Sequence, residues 1–393
     1  MTVTLRKRPF PLSLFHFDPV EHAADSQSLR DTVRALVDEK IRHMPAAQRA
    51  QSWTGFDANF SEHLGAAGFI GMHWPEHYGG RSCPAIERYI VIEELLAAGA
   101  PVGAHWIADR QSGTHLINYA NPSARNACLP GIASGKLFFC IGMSEPNSGS
   151  DLASISTRAV RVDGGWRIRG AKLWTTHVTR AHMMIALVRT SDADHARHQG
   201  LSQFLIDLSL PGITVNGITD QTGEKHFGEV FLDDVFVTDD CLIGTEGEGW
   251  QQVNDELSLE RSGPERYLSS YRLIPEFLDT LQVDADDIGA CTLGEIVAEL
   301  WTLRQMSMSV AGQICNGADP SLEAAMVKDL GATFEQELPH RIQACLDGGE
   351  DNIRYAQLLP VLDYLLNAAP SFSLRGGTRE ILRGIIARGL GLR

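Results

Sequence analysis

Ile141-Gly-Met-Ser-Glu-Pro-Asn-Ser-Gly-Ser-Asp151 is the stretch whose reading decides the fold of this chain. It follows an apolar, strand-like run from Leu137 to Ile141 and concentrates Ser144, Pro146, Ser148, Gly149 and Ser150 just beyond a strand end. Short hydroxyls and turn-forming backbone fill little volume and donate many hydrogen bonds. A planar ligand with polar edges needs that combination: N–H and O–H donors, with the chain close enough to reach ring heteroatoms. An ordinary surface turn has the same composition, so the loop gains meaning only beside a second stretch downstream, Lys172-Leu-Trp-Thr-Thr176.

The chain has 393 residues, 44% of them hydrophobic, enough for a large core divided among about two or three domains. Its net charge of −15 argues against nucleic acid, because neutralising phosphates takes clustered Lys and Arg and the one such cluster is Arg6-Lys7-Arg8. An anionic ligand would have to be met by local basic groups working against that overall field. Seven scattered cysteines, with no Cys-x-x-Cys pair, suit a reducing cytoplasm better than a disulfide framework or a zinc site. No apolar run reaches the roughly 18 residues of a membrane span. Three basic residues precede Asp18, but Pro9 and Pro11 break any amphipathic helix there, so no transit peptide is expected.

The apolar spacing is helical from Leu29 to Gly135, with Val33, Leu36 and Val37, then Phe60 and Leu64, then Ile86, Tyr89, Ile90 and Leu95. Gly71-Met-His-Trp-Pro-Glu-His-Tyr-Gly-Gly80 interrupts it as a loop; Pro75 keeps His73 and His77 off one helical face and so argues against a metal site. From Leu137 the period changes to two through Val160–Val162, Trp166–Arg169, Met183–Val188, Ser202–Ile206 and Val230–Leu232, a small β domain of barrel type. Gly244-Thr-Glu-Gly-Glu-Gly249 lacks the spacing of a dinucleotide fingerprint and reads as a linker. Helical spacing returns from Trp250 to the end, with breaks near 316–320 and 347–350. The expected domains are a helical one over 1–135, a β-barrel over 136–246 and a helical bundle over 247–393.

Ser144-Glu-Pro-Asn-Ser-Gly-Ser-Asp151 followed by Trp174-Thr-Thr176 resembles the flavin-binding signature of the acyl-CoA dehydrogenase family, and the likeness extends over nearly the whole chain. Trp74-Pro-Glu-His-Tyr-Gly-Gly80 is similar to a connecting loop of the same family. The resemblance implies an α+β multidomain fold of helices, β-barrel and helical bundle, with FAD as cofactor and an acyl-CoA as substrate. It would lay Ile141, Met143 and Ser144 along the flavin and Trp174 and Thr176 near its reactive edge, with Ser150 facing the ring edge or the pantetheine. Gly377, Thr378 and Glu380 would meet the cofactor's phosphate and ribityl region, and Ser258, Arg261, Gly376 and Arg388 the substrate or its CoA end.

Dehydrogenation of a thioester takes a proton from one carbon and hydride from its neighbour, so it needs a carboxylate base and donors on the thioester oxygen. The commonest family pattern has that base as a Glu immediately before Gly-Thr. Here Leu374-Arg-Gly-Gly-Thr-Arg-Glu380 places Gly376 at that position, which keeps a backbone N–H and loses the carboxylate. Leu257-Ser-Leu-Glu-Arg261 resembles the Leu-Glu-Arg of the isovaleryl-CoA and long-chain branch, whose base lies on this other helix, so Glu260 is the expected base. The competing reading of Glu260 is a solvated helical Glu paired with a basic neighbour. Pro264 is expected to bend a continuing helix, and Gly263 with Gly376 to leave room for a branched or bulky acyl group.

Family segments that hold the far half of FAD from a neighbouring subunit are missing. The corresponding regions read Tyr271-Arg-Leu-Ile-Pro-Glu276 and Val361-Leu-Asp-Tyr-Leu-Leu-Asn367. The resemblance therefore leaves a homodimer or homotetramer open beside a heteromer with a related subunit, and an electron-transfer flavoprotein as acceptor. A flavin oxidase or monooxygenase of the same fold and a non-catalytic or half-site subunit are the alternatives. Gly142-Met-Ser-Glu-Pro146 fails the Gly-x-Ser-x-Gly elbow of hydrolases, and no Gly-x-Gly-x-x-Gly follows a strand.

Overall fold

The computed structural model describes residues 15–20, 26–191, 197–259, 262–281, 287–346 and 353–392. Helices come first: α1 (Ser26–Ile41), α2 (Ala46–Arg49), α3 (Ala58–Ala66), α4 (Ala85–Ala97), α5 (Gly103–Ile107), α6 (Gly113–Tyr119) and α7 (Pro122–Ala133). Their starts follow from capping chemistry. Asp57 accepts from the Phe60 N–H at 3.0 Å to open α3, and Asn121 accepts from Ala124 ahead of Pro122, whose missing N–H costs nothing in a first turn. Val33, Val37, Leu64, Ile70, Trp74, Leu95 and Leu129 close a shared core.

The chain then turns to strands: β1 (Phe139–Gly142), β2 (Arg158–Val162), β3 (Gly165–Thr176), β4 (Met183–Arg189), β5 (Leu201–Asp207), β6 (Ile213–Ile218), β7 (Phe227–Thr238) and β8 (Leu242–Ile243). They form one sheet in the order β6-β7-β3-β2-β4-β5-β8, with β1 parallel to β4. The alternation read from the sequence is the alternation of burial, Trp166 and Ile168 inward with Arg167 and Arg169 outward. Met184, Val188, Phe204, Ile206, Val230 and Val235 complete the sheet's core.

The last part is helical: α8 (Gly249–Leu259), α9 (Leu273–Leu278), α10 (Asp287–Cys315), α11 (Ser321–Gln343), α12 (Leu358–Ala368) and α13 (Arg379–Gly389). The expected order of helices, β domain and helices is the observed one. The expected break near 316–320 falls between α10 and α11, and residues 347–350 lie outside the described residues.

The expectation at Pro264 is overturned. Pro264 opens a one-turn 3-10 helix, Pro264–Arg266, where proline is unstrained, and does not interrupt a continuing α-helix. Nor does Gly263 leave space for a ligand, because a Cβ there would run into the carboxylate of Glu265. No described helix is long and apolar enough to cross a membrane.

Candidate functional site

A buried ion pair holds the two sequence stretches together. Lys172 sits on β3 at an inward position, fully buried, and its Nζ donates to Glu145 Oε1 at 2.8 Å and to the Met143 carbonyl at 3.2 Å. Glu145 also accepts from the N–H and hydroxyl of Ser156 at 2.7 and 2.8 Å and from the N–H of Thr157 at 3.0 Å. Burial alone would raise its pKa. The Lys172 ammonium and these hydrogen bonds outweigh burial and hold the carboxyl at about 2. Burial pushes Lys172 down to about 8, against the pull of Glu145. The Leu173 N–H then donates to the Ser144 carbonyl at 2.8 Å, laying the loop along the strand.

Trp174 follows in that strand, where the β3–β7 register slips between Lys172 and Thr175. Its φ is +59°, a conformation that bulky L-residues rarely adopt, and its side chain is 56% exposed with Phe227 edge-on at 6.0 Å. A strained aromatic turned outward at a bulge is poorly accounted for by packing and well accounted for by contact with a ligand. Next to it the Thr175 hydroxyl is buried, with no hydrogen-bond partner among the described residues. Half-buried Met143 packs against a cluster formed by Ile155, Leu187 and Leu201 of the sheet region and Val253 of α8. The loop is thereby fixed to the helix that leads toward residue 260.

The C-terminal group is a second construction. Gly376 and Gly377 have φ of +62° and +96°, and Thr378 stands at the N-cap position of α13 without a side-chain capping bond. Arg375 donates to Glu335 at 2.6 Å and to Ser269 at 2.7 Å, while Lys328 donates to the Gly377 carbonyl at 2.6 Å. Among the described residues the N–H groups of Gly376 and Gly377 donate to no other group, so both remain available. A Cβ on Gly376 would stand 3.1 Å from Arg266 Nη2 and 3.3 Å from Lys328 Cε, so this glycine faces two cations rather than empty space. The room for a bulky acyl group expected from Gly263 and Gly376 is not found at either position. Glu380 is exposed and is held below the usual carboxylate range by its own backbone N–H and the Thr378 hydroxyl.

The structure thus gathers Ile141, Met143, Ser144, Trp174 and Thr176 at the sheet, and Gly376, Gly377, Thr378 and Glu380 at the start of α13. Ser150 is exposed on the first loop beside Asp151, which pairs with Arg197. Arg388 is exposed one turn beyond Gly384 on α13. Glu260 and Arg261 lie outside the described residues, as does the side chain of Ser258. The segment just beyond them is anchored firmly, Arg110 meeting Glu265 at 2.5 Å and Arg266 reaching Gly376. His73 bonds to Thr114 while His77 lies against Tyr78, so the two imidazoles of that loop serve separate contacts.

Sequence reasoning missed Glu145 and Lys172 as the pair that sets the site, although the signal was available. Lys172 shares the parity of Trp166 and Ile168 along β3, which marks it as inward, and an inward Lys demands an acid. A flat ring system fits this place. Trp174 offers an open aromatic face, and the Ser144 loop is pinned beside it.

Two family models match the chain: the acyl-CoA dehydrogenase N-terminal domain over residues 23–136 and the acyl-CoA dehydrogenase middle domain over residues 140–235. Acyl-CoA dehydrogenase IpdE1 of Mycolicibacterium smegmatis is 30% identical over 352 residues, which cover 85% of this chain and 87% of that protein. Acyl-CoA dehydrogenase FadE34 of Mycobacterium tuberculosis is 31% identical over 372 residues, 93% of this chain; the chain spans about half of that protein's length, 49%. The solved Tcur3481-Tcur3483 steroid ACAD superposes with a TM-score of 0.83 at 24% identity, covering 95% of this chain and 98% of that one.

Proposed function

The chain belongs to the acyl-CoA dehydrogenase family of oxidoreductases, and from that premise we propose that it carries out FAD-dependent α,β-dehydrogenation of an acyl-CoA thioester. The observation that supports this most directly is the outward Trp174 in left-handed backbone, held beside the Ser144 loop by the Lys172–Glu145 pair. Met143, Ser144, Trp174 and Thr176 would hold the flavin ring, and Gly377, Thr378 and Glu380 its ribityl and phosphate portion. FAD when bound supplies the hydride acceptor.

The chain's own part is to bind the thioester, polarise it and take the proton. The unspent N–H of Gly376 suits a donor to the thioester oxygen. A carboxylate at position 376 would lie beside Arg266 and Lys328, which would depress its pKa and weaken it as a base. That environment favours the base on the other helix, at Glu260. Ser258, Arg261 and Arg388 would meet the substrate and its CoA end, and an electron-transfer flavoprotein would take up the electrons.

A second reading, a chain that shares its flavin site with a related subunit, is favoured by the fate of the two segments that depart from the family pattern. Arg272 is spent in an ion pair with Glu276, and Val361, Leu362 and Leu365 of α12 are core residues. Neither segment offers an uncommitted cation for a neighbour's dinucleotide.

The test is the visible spectrum of the chain purified alone, followed by anaerobic titration with straight, branched and ring-bearing acyl-CoAs. Bleaching of the flavin band is the expected result. A colourless protein that becomes yellow only with a partner chain would support the second reading, and peroxide formation on admitting air would identify an oxidase. Glu260→Gln is expected to lower turnover on the order of a hundredfold or more with flavin content retained; an unchanged rate removes Glu260 from the mechanism.

A further inference from the structure

Helix α11 carries two buried charges on one face, Lys328 and Glu335, which are 1% and 0% exposed. They stand about two helical turns apart, so both side chains leave the helix in the same direction, roughly 10 Å from each other along its axis. At that separation they do not form a pair. Burying each charge is costly unless a specific partner meets it.

Both are spent on the same turn, one on each side of it. Lys328 Nζ donates to the Gly377 carbonyl at 2.6 Å. Glu335 accepts from the Ser269 N–H at 2.7 Å on one carboxylate oxygen and from Arg375 at 2.6 Å on the other. Arg375 donates further to the Ser269 hydroxyl at 2.7 Å and the Glu265 carbonyl at 3.0 Å, and its guanidinium lies over the rings of Trp53 and Phe372 at 4.7 and 4.9 Å. Gly376 is the residue between these two anchored neighbours.

A glycine pair has wide conformational freedom, so the direction of its N–H groups is decided by what grips the residues around it. Gly376 and Gly377 hold φ of +62° and +96°, and both are half-buried, which leaves the turn an open side. Docking of α13 does not by itself call for the buried charges. Asp329 already ties that helix to α11, accepting from Arg379 at 2.8 Å with Arg383 at 3.6 Å.

We propose that Lys328 and Glu335 are positioning residues, which clamp the turn from its two sides and aim the Gly376 N–H at the thioester oxygen. That role rests on the function proposed above, in which this N–H is the donor. The oxygen gains charge as the neighbouring carbon loses its proton, so a misdirected donor weakens the transition state more than the ground state.

The test is the carbonyl stretching frequency of a bound thioester, which falls as donors polarise the C=O and which a loss of stability alone does not move. The full chain with its flavin is mixed with crotonyl-CoA, tiglyl-CoA and cyclohexenecarbonyl-CoA, each carrying carbon-13 at the thioester carbon, and read by isotope-edited infrared difference spectroscopy. These thioesters are already dehydrogenated and bind without turnover. The parent is expected to lower the frequency of at least one. Lys328→Met should retain less than half of that shift, with kcat on saturated substrate lowered about tenfold or more, KM changed by less than about threefold and flavin content kept. Glu335→Gln is the second variant should Lys328→Met not fold; its single amide oxygen cannot serve Ser269 and Arg375 together, so the same loss is expected. Asp329→Asn loosens α13 without touching the turn and should keep the full shift. A full shift in the folded Lys328→Met or Glu335→Gln variant, or an equal loss in Asp329→Asn, would overturn the positioning role and leave dehydrogenation standing. A parent that shifts none of the three thioesters would remove the donor role of Gly376 and this inference with it.

Discussion

Glu145→Gln preserves the shape of a side chain and strands a charge. Lys172 would remain buried with only uncharged oxygens, the new amide oxygen and the Met143 carbonyl, to meet its charge, so the expected loss is about 3–5 kcal/mol in urea unfolding. Lys172→Met is milder, about 1–3 kcal/mol, because Glu145 keeps the donors of Ser156 and Thr157. The combined Glu145→Leu, Lys172→Met variant should recover part of the larger loss, since no charge is then left without its partner; a double variant worse than Glu145→Gln would refute the ion-pair account. The same carboxyl sets an acid limit. Its pKa in the folded chain, about 2, lies below its ordinary value of 4.5, so the unfolded chain takes up the proton first as pH falls. The stabilisation is complete above pH 4.5 and drains away toward pH 2, a contribution of about 3 kcal/mol by linkage. Unfolding measured at pH 6 and pH 3 should show about 2 kcal/mol of that drop in the parent, since pH 3 still lies above the folded pKa, and a flatter profile in Glu145→Gln.

The exit of β3 is built as a sequence of constraints, with Lys172 inward, Trp174 in left-handed backbone and His177 again at positive φ. Trp174→Gly removes the strain and little buried surface, so stability should change by no more than about 1 kcal/mol while flavin retention falls. Gel filtration followed by the ratio of visible to ultraviolet absorbance reads the second quantity, and full retention would mean that the ring lies elsewhere. At this scale the sequence was informative in a particular way. Period-two patterning located β2, β3, β4, β5 and β7, and the Ser/Gly/Trp motifs located the loop and the bulge, because alternation and turn chemistry are local properties. The environments of Gly263 and Gly376 were not legible. What fills the space beside a glycine is decided by Glu265 in one case and by Arg266 and Lys328 in the other, and no local pattern shows where those side chains go.

Across the molecule, α4 connects the first helices to the last. Tyr89 to Leu96 are buried in an unbroken run, which includes the adjacent acids Glu93 and Glu94. Glu93 receives Arg30 of α1 at 2.8 Å and Arg304 of α10 at 2.6 Å; Glu94 receives Arg30 at 2.5 Å and Arg34 at 2.7 Å. Two neighbouring acids on a helix ordinarily mark a solvated face, and here the helix is enclosed on every side, so burial reverses the reading. Arg304→Met keeps much of the side chain's packing and removes two of the hydrogen bonds to Glu93, while Arg30 remains. The expected loss is about 2 kcal/mol, between the cost of an ordinary charged hydrogen bond and that of a fully stranded acid. Because the Glu93 side chain is only 9% exposed, the loss should be nearly the same in 0.1 M and 1 M salt, where a surface pair would be screened away. Urea unfolding at the two salt concentrations, followed through far-ultraviolet circular dichroism and tryptophan fluorescence together, checks both points. A loss that disappears in high salt would place the pair at the surface. Coincident transitions for the two probes in the parent, separating in Arg304→Met, would show that the tie between α4 and α10 makes the first and last helices unfold as one unit.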